Sequence, residues 1–349
     1  MGILLNVAML GVFSGADFVD VGVKRAAAGS AASILGTLFV TYVAAALPPP
    51  ESYYLAYVSA ALVGLTATAV LVMYKVPAEV DVSAAAELAE EVDIKKVNTF
   101  VLLTLMFVGE NLLGLAWSPL LKGLGAPVYM AVALSLAGSV GGVVGPYLWK
   151  GYRRYTLAIA INVALTATIP LVVWAPAHVA LAALATMTFI GANLIAMSIY
   201  SRYVRALGVV GASTFLTAAG SAGLLGASLI GGYVTGDPRV ALAMAAGFKF
   251  AALGVALLAI PETAVVPPPT AYGYGRLVYS SSVMGYTFTV ETSKRVIKLT
   301  IEVGGPRLAP PGPAVKAPSP PLAVTSGGDF TVRENEREPK IPTRGSPSL

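Results

Sequence analysis

The sequence predicts an all-α polytopic membrane protein with about nine transmembrane helices, followed by a C-terminal tail of different composition. Of its 349 residues, 56% are hydrophobic and 12% are charged, and the mean hydropathy is +0.75. A water-soluble globular domain is far less apolar than this. Apolar stretches of about 20 residues, the length that crosses the hydrocarbon core, recur as far as residue 260.

Nine stretches have the length and composition of a membrane span, and the first of them is the shortest. We predict a partial N-terminal bundle of three helices in residues 1–74 and a C-terminal bundle of six in residues 98–260. Each helix satisfies its own backbone hydrogen bonds, which lipid cannot do. The predicted spans cover residues 2–18, 28–46, 54–74, 98–121, 128–148, 155–174, 178–200, 212–234 and 240–260.

Positive charge gathers in alternate connections between the predicted spans. Ten Lys and Arg residues fall on one side of the membrane, against Lys122 and Arg239 on the other. Because basic residues concentrate on the cytoplasmic side, this asymmetry predicts a multi-pass cell-membrane protein whose C-terminal tail is cytoplasmic. The ten are Lys24, Arg25, Lys75, Lys95, Lys96, Lys150, Arg153, Arg154, Arg202 and Arg205.

Residues 75–97 lie between the two predicted bundles, and the same charge pattern places them in the cytoplasm. Their sequence, KVPAEVDVSAAAELAEEVDIKKV, is acidic in the middle and basic at both ends. It predicts an inter-bundle loop that is either a solvated linker or carries a short surface helix.

The tail differs in character from the apolar region before it. In residues 261–304, the alternating apolar residues of YTFTV and VIKLTIEV predict two strands of a β-hairpin, with ETSKR as its turn. One hairpin is marginally stable alone, so we expect it to dock on the membrane domain or on a protein partner. Residues 305–349 are Pro-rich, which predicts disorder.

Several kinds of chemistry are excluded by residue types that the chain lacks. It has no Cys and a single His, His178, which rules out a Cys/His zinc site, an iron–sulfur cluster and a bis-histidine haem. It contains no GxxxxGK[ST], GxSxG or HExxH motif. We therefore expect no enzyme activity, no metal or other cofactor and no nucleic-acid partner. The absence of Cys and Gln is typical of thermophile proteins.

An internal repeat indicates a duplicated architecture. AAGSA occurs at residues 27–31 and again at 218–222, an offset of 191. A parallel repeat of this length in a polytopic protein predicts two helical bundles related by an axis along the membrane normal. The first copy lies in the second predicted span and the other in the fifth span of the six-helix bundle, so the N-terminal half is three helices short of a match.

The chain resembles the major facilitator superfamily in three places. GPYLWKGYRRY, residues 145–155, resembles the second copy of that family's loop motif. There, Gly145, Arg153 and Arg154 match, Trp149 replaces an acidic residue and Gly151 is shifted. The loop from Arg202 to Arg205, followed by the Gly/Ala-rich TAAGSAGLLGASLIGGYV, resembles the passage from the tenth to the eleventh helix. The charged segment 75–97 resembles the loop between the halves.

This resemblance covers residues 1–260 and implies that the spans correspond to helices four to twelve of that family. It implies a secondary transporter that works by alternating access, with charged loops that gate the cytoplasmic side. Solvated loop charges are the alternative for Asp17 and Asp20. The candidate gating residues are Asp17, Asp20, Lys24, Arg25, Gly145, Lys150, Arg153, Arg154, Arg202 and Arg205.

Polar residues inside predicted spans are the candidate substrate or coupling sites, because a charge in the bilayer is costly and needs a reason. Glu110 and Asn111 interrupt an apolar span, and the resemblance implies that Glu110 and Asn193 line a central cavity. Glu110 is either a proton carrier or a hydrogen-bonded structural carboxyl. Lys249 either takes part in the site or extends to the lipid headgroups from a peripheral helix.

Two functions fit the sequence. The first is a secondary active transporter of a small solute, in symport or antiport, with proton coupling through Glu110. The second is a non-transporting membrane scaffold or complex subunit whose C-terminal tail binds a partner. The broken symmetry of three helices against six favours the second function, whereas the polar residues within the spans favour the first.

Overall fold

The computed structural model describes residues 2–13, 15–48, 50–73, 90–127, 129–149, 152–234 and 236–284, all within one compact unit, Met1–Thr292. Every regular element among them is helical. The helices are α1 Gly2–Val12, α2 Gly15–Ala46, α3 Glu51–Met73, α4 Glu90–Gly123, α5 Tyr129–Leu148, α6 Tyr152–Thr168, α7 Ala177–Arg202, α8 Val204–Leu207, α9 Val209–Val234, α10 Pro238–Leu258 and α11, residues 268–284. A 3₁₀ turn, Ile169–Leu171, follows α6.

Eight of the described helices are long and apolar enough to cross a membrane, which supports the predicted multi-pass membrane protein, and the described residues form no strand. The first predicted span, residues 2–18, is wrong. Helix α1 ends at Val12 after only 11 residues, and α2 begins at Gly15. Ser and Gly are poor helix formers, so Ser14 and Gly15 favour an interruption between two helices. The apolar composition of residues 2–18 gave no sign of it.

Helix α2 is longer than the sequence predicted, with 32 residues. Asp17, Asp20, Lys24 and Arg25, expected in a connection, lie in its first three turns. Lys24 pairs with Asp20 at 2.9 Å in the i, i+4 arrangement that supports a helix. Phe18 and Val23 on the other face are buried, so this extension packs against the bundle while its charges remain outside.

Helix α4 also begins earlier than predicted, at Glu90 rather than near residue 98. Glu90 and Glu91 occupy its first turn, where negative charge is favoured by the partial positive charge of a helix N-terminus. Residues 90–97 of the predicted inter-bundle loop are therefore helical. The remainder of that loop lies outside the described residues.

The start of the tail forms helix α11, which the sequence analysis did not predict. Pro267, Pro268 and Pro269 stand at its beginning, where a fixed φ and a missing N–H are tolerated. Ala271 is fully buried, and a Cβ at Gly275 would lie 2.9 Å from the carbonyl oxygen of Ala259. Helix α11 therefore docks closely on the end of the bundle. The predicted hairpin strands and the Pro-rich segment 305–349 lie outside the described residues.

Helix α4 occupies the centre of the bundle and packs on α10, α9 and α7, while α6 packs on α7 and α10. Helix α5 packs extensively on α7, and α2 packs on α5 and α7. Helix α1 packs on α9, and the main contact of α3 is with α2. These contacts place α2, α4, α5 and α7 around a common space.

Glycines allow the close packing of α5 on α7. A Cβ added at Gly141 would lie 2.0 Å from the carbonyl oxygen of Ala183, and one at Gly145 would lie 2.5 Å from that of Met187. Both distances are impossible contacts, so only Gly fits. The small residues that the sequence places four apart on α5 are thus used for helix contact in the way expected in lipid.

We expect Gly141→Ala to lower the thermal unfolding midpoint in detergent, because the new methyl group would collide with the α7 backbone. Overpacking of this kind costs about 1–3 kcal/mol. Gly36→Ala is the matched control, since a Cβ there meets no atom within 4 Å. Equal midpoints for the two variants would contradict the close α5–α7 contact.

Candidate functional site

An ion pair lies in the middle of the bundle, between α4 and α10. The Lys249 Nζ atom is 2.7 Å from Glu110 Oε2. The lysine side chain is completely buried, whereas the glutamate side chain is 28% exposed. Of the two alternatives for Lys249, extension to the headgroups does not fit a completely buried side chain, and two residues predicted separately as coupling candidates form one ion pair.

Gly109 makes room for this lysine. A Cβ at position 109 would lie 2.6 Å from Cγ of Lys249 and 2.8 Å from the carbonyl oxygen of Ala245. The Phe189 ring lies on another side, with its centroid 5.8 Å from Nζ, in range for a cation–π contact. The α4 backbone and an aromatic ring thus confine the lysine so that Nζ reaches Glu110.

Hydrogen bonds continue from the ion pair into α6 and α7. Lys249 Nζ donates to Thr166 Oγ1 at 3.0 Å, and Thr166 Oγ1 donates to the Asn162 carbonyl oxygen at 2.8 Å. Asn162 Nδ2 in turn donates to the Ala185 carbonyl oxygen at 2.7 Å and to Thr188 Oγ1 at 3.0 Å. Four helices are therefore joined by polar groups where lipid offers no partners.

Glu110 faces a cleft of about 590 Å³ between α2, α4, α5 and α7. Hydroxyl groups provide most of its polar lining, from Ser30, Ser33, Ser118, Ser135, Ser139 and Thr186. The Oγ atoms of Ser33 and Ser139 are 3.1 Å apart, which joins α2 and α5 across the cleft. Leu113, Leu134 and small residues complete the walls.

The cleft lies toward one end of the bundle. We call the ends of α4 and α7 that carry Lys95, Lys96 and Arg202 the basic end, and the opposite end the far end. Ser118 and Ala182 belong to the far halves of their helices and line the cleft. Buried side chains lie on both sides of Glu110 along α4, with Leu103 and Met106 toward the basic end and Leu120 and Leu121 toward the far end.

Trp117 forms part of the cleft wall and is held by His178. Trp117 Nε1 donates to His178 Nδ1 at 2.9 Å, so the neutral imidazole carries its hydrogen on Nε2, which lies 3.0 Å from the Val172 carbonyl oxygen. His178 is completely buried. The single histidine of the chain therefore positions an indole ring.

The basic end is closed by a second polar cluster. Lys95 Nζ is 3.0 Å from Glu262 Oε1 and donates to Tyr203 Oη at 2.8 Å. Tyr200 Oη donates to the carbonyl oxygen of Lys96 at 3.0 Å, and Asn98 Nδ2 donates to that of Ala259 at 3.0 Å. These bonds tie α4 to α7 and to the connection between α10 and α11.

The remaining predicted cavity residues have modest roles in the structure. Asn111 is half-buried, and its Nδ2 donates to the Phe107 carbonyl oxygen of the same helix at 2.8 Å. Asn193 is half-buried on α7, about one turn from Phe189. Neither residue lines the cleft in this state.

The candidate gating residues of α2 make mostly local contacts. Asp17 is exposed, and Asp20 pairs with Lys24. Arg25 Nη1 instead donates to Asn6 Oδ1 on α1 at 2.6 Å, and Asn6 Nδ2 is 3.5 Å from Thr217 Oγ1 on α9. Arg25 thus connects the N-terminal helices to the six-helix bundle.

The other gating candidates do not share one environment in the structure. Gly145 is a packing residue of α5, Arg154 is exposed, and Arg202 is exposed in the last turn of α7. Arg153 belongs to α6 and Arg205 to α8, with side chains outside the described residues, as is Lys150.

Sequence reasoning did not identify the serines of the cleft, Gly109, or the pair of Lys95 with Glu262. Single serines in apolar helices carry little signal, because Ser also packs between lipid-embedded helices. One signal was present. Ser135, Gly138, Ser139 and Gly142 follow the i, i+3, i+4 spacing of one helical face, and a face of small polar residues suits a cavity wall.

Comparison with profiles of known families, with curated proteins and with solved structures finds no match for this chain. Its functional interpretation therefore rests on the geometry of the site.

Removing either partner of the Lys249–Glu110 pair should destabilise the protein strongly. A buried charge left alone costs about 3–5 kcal/mol, whereas replacing both partners with uncharged residues is often tolerated. We expect Lys249→Met and Glu110→Gln each to lower the unfolding midpoint, and the double variant to recover much of the loss. The measurement is a double-mutant cycle.

Lys24 provides the control, because its side chain is 67% exposed and a solvated charge contributes little. Lys24→Met should leave the midpoint almost unchanged. If the two central substitutions were additive, the pair would not be coupled.

Proposed function

We propose that this chain is a secondary transporter of a small solute, related in design to the major facilitator superfamily. The observation that carries the proposal is a hydroxyl-lined cleft beside Glu110, a partly exposed carboxylate in the middle of the bundle that pairs with the fully buried Lys249. A site reached from one side at a time is the structural requirement for alternating access. The positive-inside rule favours the basic end in the cytoplasm, so in this proposal the far half of the bundle, which holds the cleft, faces the outside.

The ion pair provides a means of coupling. Glu110 has one oxygen on Lys249 and a partly exposed side chain in the cleft, where a proton from solvent can reach it. Protonation removes the negative charge that holds Lys249, and with it one connection between α4 and α10. A proton thereby changes the interaction between two helices, which is how a bound ion can bias two conformations.

The closed basic end supplies the opposing gate. Lys95, Glu262 and Tyr203 form an almost buried cluster where α4, α7 and the segment before α11 meet. Opening toward the cytoplasm requires these bonds to separate while the far cleft closes. The two polar clusters, one at mid-membrane and one at the basic end, are then alternately strained and relaxed.

A second candidate is a non-transporting membrane scaffold or complex subunit, and α3 favours it. Large apolar side chains along α3 are exposed, including Tyr54, Tyr57 and Leu65, and its main contact in the described structure is α2. A helix with so little packing offers a surface to a neighbouring membrane protein as well as to lipid. A scaffold needs no second conformation, which separates the two candidates.

Cysteine labelling tests for two conformations without knowledge of the solute, because the chain has no native cysteine. Ser135→Cys places a thiol in the cleft. Thr99→Cys places one on the Glu110 face of α4, about three turns nearer the basic end, at a position that is now completely buried. We expect rapid labelling of Cys at 135 from the far side, and slow labelling of Cys at 99 from the basic side with an impermeant maleimide.

Attaching a bulky maleimide at position 135 should hold the cleft open and stop the labelling at position 99 in the double-cysteine variant. Gly236→Cys is the control, because it is exposed at the far end outside the cleft, and its modification should not affect position 99. If modification at position 135 does not change the labelling rate at position 99, the scaffold is favoured.

Proton coupling gives a further expected result. The labelling rate at position 99 should depend on pH, because protonation of Glu110 shifts the balance of conformations. Glu110→Gln should remove most of that dependence, while Glu51→Gln, at an exposed position in the first turn of α3, should not. A Glu110→Gln protein with the full pH dependence would exclude Glu110 as the proton carrier.

A further inference from the structure

We propose that the cleft takes an uncharged solute rich in hydroxyl groups, in the class of small sugars and polyols. This inference rests on the proposed transport function and adds the substrate class. It is drawn from the charge, the hydrogen-bonding groups and the size of the cleft.

The first argument is charge. Glu110 is the ionisable residue among those that line the cleft, and Lys249 neutralises it at 2.7 Å. The walls therefore offer a bound solute no net charge. A charged solute would lose its hydration without a compensating partner, and that loss is costly in a low-dielectric site.

An organic amine is the obvious competitor, because it could bind a carboxylate. Lys249 already occupies Glu110 Oε2 and is completely buried. A second ammonium group at the same carboxylate would stand close to the first and be repelled by it. An acidic solute would meet the same repulsion from Glu110 itself. Neutral solutes avoid both costs.

The second argument is the type of polar group. Five serines and one threonine line the cleft, and each hydroxyl both donates and accepts a hydrogen bond. Groups of this kind match the hydroxyls of a sugar, which also do both. The Ser33–Ser139 pair, 3.1 Å apart on facing helices, can exchange its mutual bond for bonds to a solute between them.

The third argument is shape. A cleft of about 590 Å³ falls in the range of small-molecule sites. Trp117, fixed by His178, presents part of its ring to the cleft beside Leu113 and Leu134. An indole ring has an apolar face that suits the C–H face of a pyranose, while the serines across the cleft suit its hydroxyls.

The experiment uses a matched series on one ring: glucose, glucosamine and glucuronate, with inositol as a second neutral polyol. Binding to the full chain in detergent is measured by calorimetry, and exchange is measured in proteoliposomes. We expect a neutral member to bind at least about tenfold more tightly than either charged member, because each charge faces an unfavourable partner.

Ser135→Ala and Ser139→Ala should each weaken binding of the neutral solute by about two- to tenfold through loss of one hydrogen bond. Ser221→Ala is the control, since Ser221 is exposed outside the cleft. Equal weakening by all three would overturn the assignment of the solute to the cleft.

The substrate class and the transport function fail separately. If glucosamine or glucuronate binds best, or if no member of the series binds, the neutral class is overturned, while the labelling of positions 99 and 135 still decides whether the chain alternates. If the labelling shows no alternation, the transport function fails, even where a neutral sugar binds.

Discussion

The bonding of Lys249 to Glu110 is the interaction on which the rest of the structure depends. A lysine with no exposed surface in the apolar interior is tolerated only when an opposite charge and further acceptors surround it. Glu110 supplies the charge and Thr166 supplies the second acceptor. Because the lysine belongs to α10, its partners fix the positions of α4 and α6 around it, and Gly109 is required for the close approach.

The cleft follows from the same arrangement. Glu110 directs one oxygen to the lysine and remains 28% exposed, so the α4 side that faces α2 and α5 retains a polar group in contact with open space. On the opposite wall, backbone-to-backbone packing of α5 on α7 through Gly141 and Gly145 draws those helices together. Tight packing on one side and short hydroxyl side chains on the other leave room at mid-membrane.

Much of the fold could be predicted from the sequence, because apolar length is summed over many residues. Eight of the nine predicted spans correspond to span-length helices. The break before Gly15 and the continuation of α2 through Lys24 and Arg25 depended on local helix formation, to which a hydropathy window is insensitive. In the site, Glu110 and Lys249 were recognisable as costly charges. Their pairing was not, because it depends on which faces of α4 and α10 meet, a fact of three-dimensional packing.

The close contact of α5 with α7 limits which helices can move relative to each other. At Gly141 and Gly145 the backbone of α5 packs directly on that of α7, so we expect these two helices to move together. Across the cleft, α2 meets α5 through side chains, with the Ser33–Ser139 hydroxyl pair and with Ser30 against Gly142. Sliding of packed helices is a recognised mode of domain motion. For the proposed transport cycle, the plane between α2 and α5 is where we expect such sliding, with the N-terminal helices moving past the joined α5 and α7.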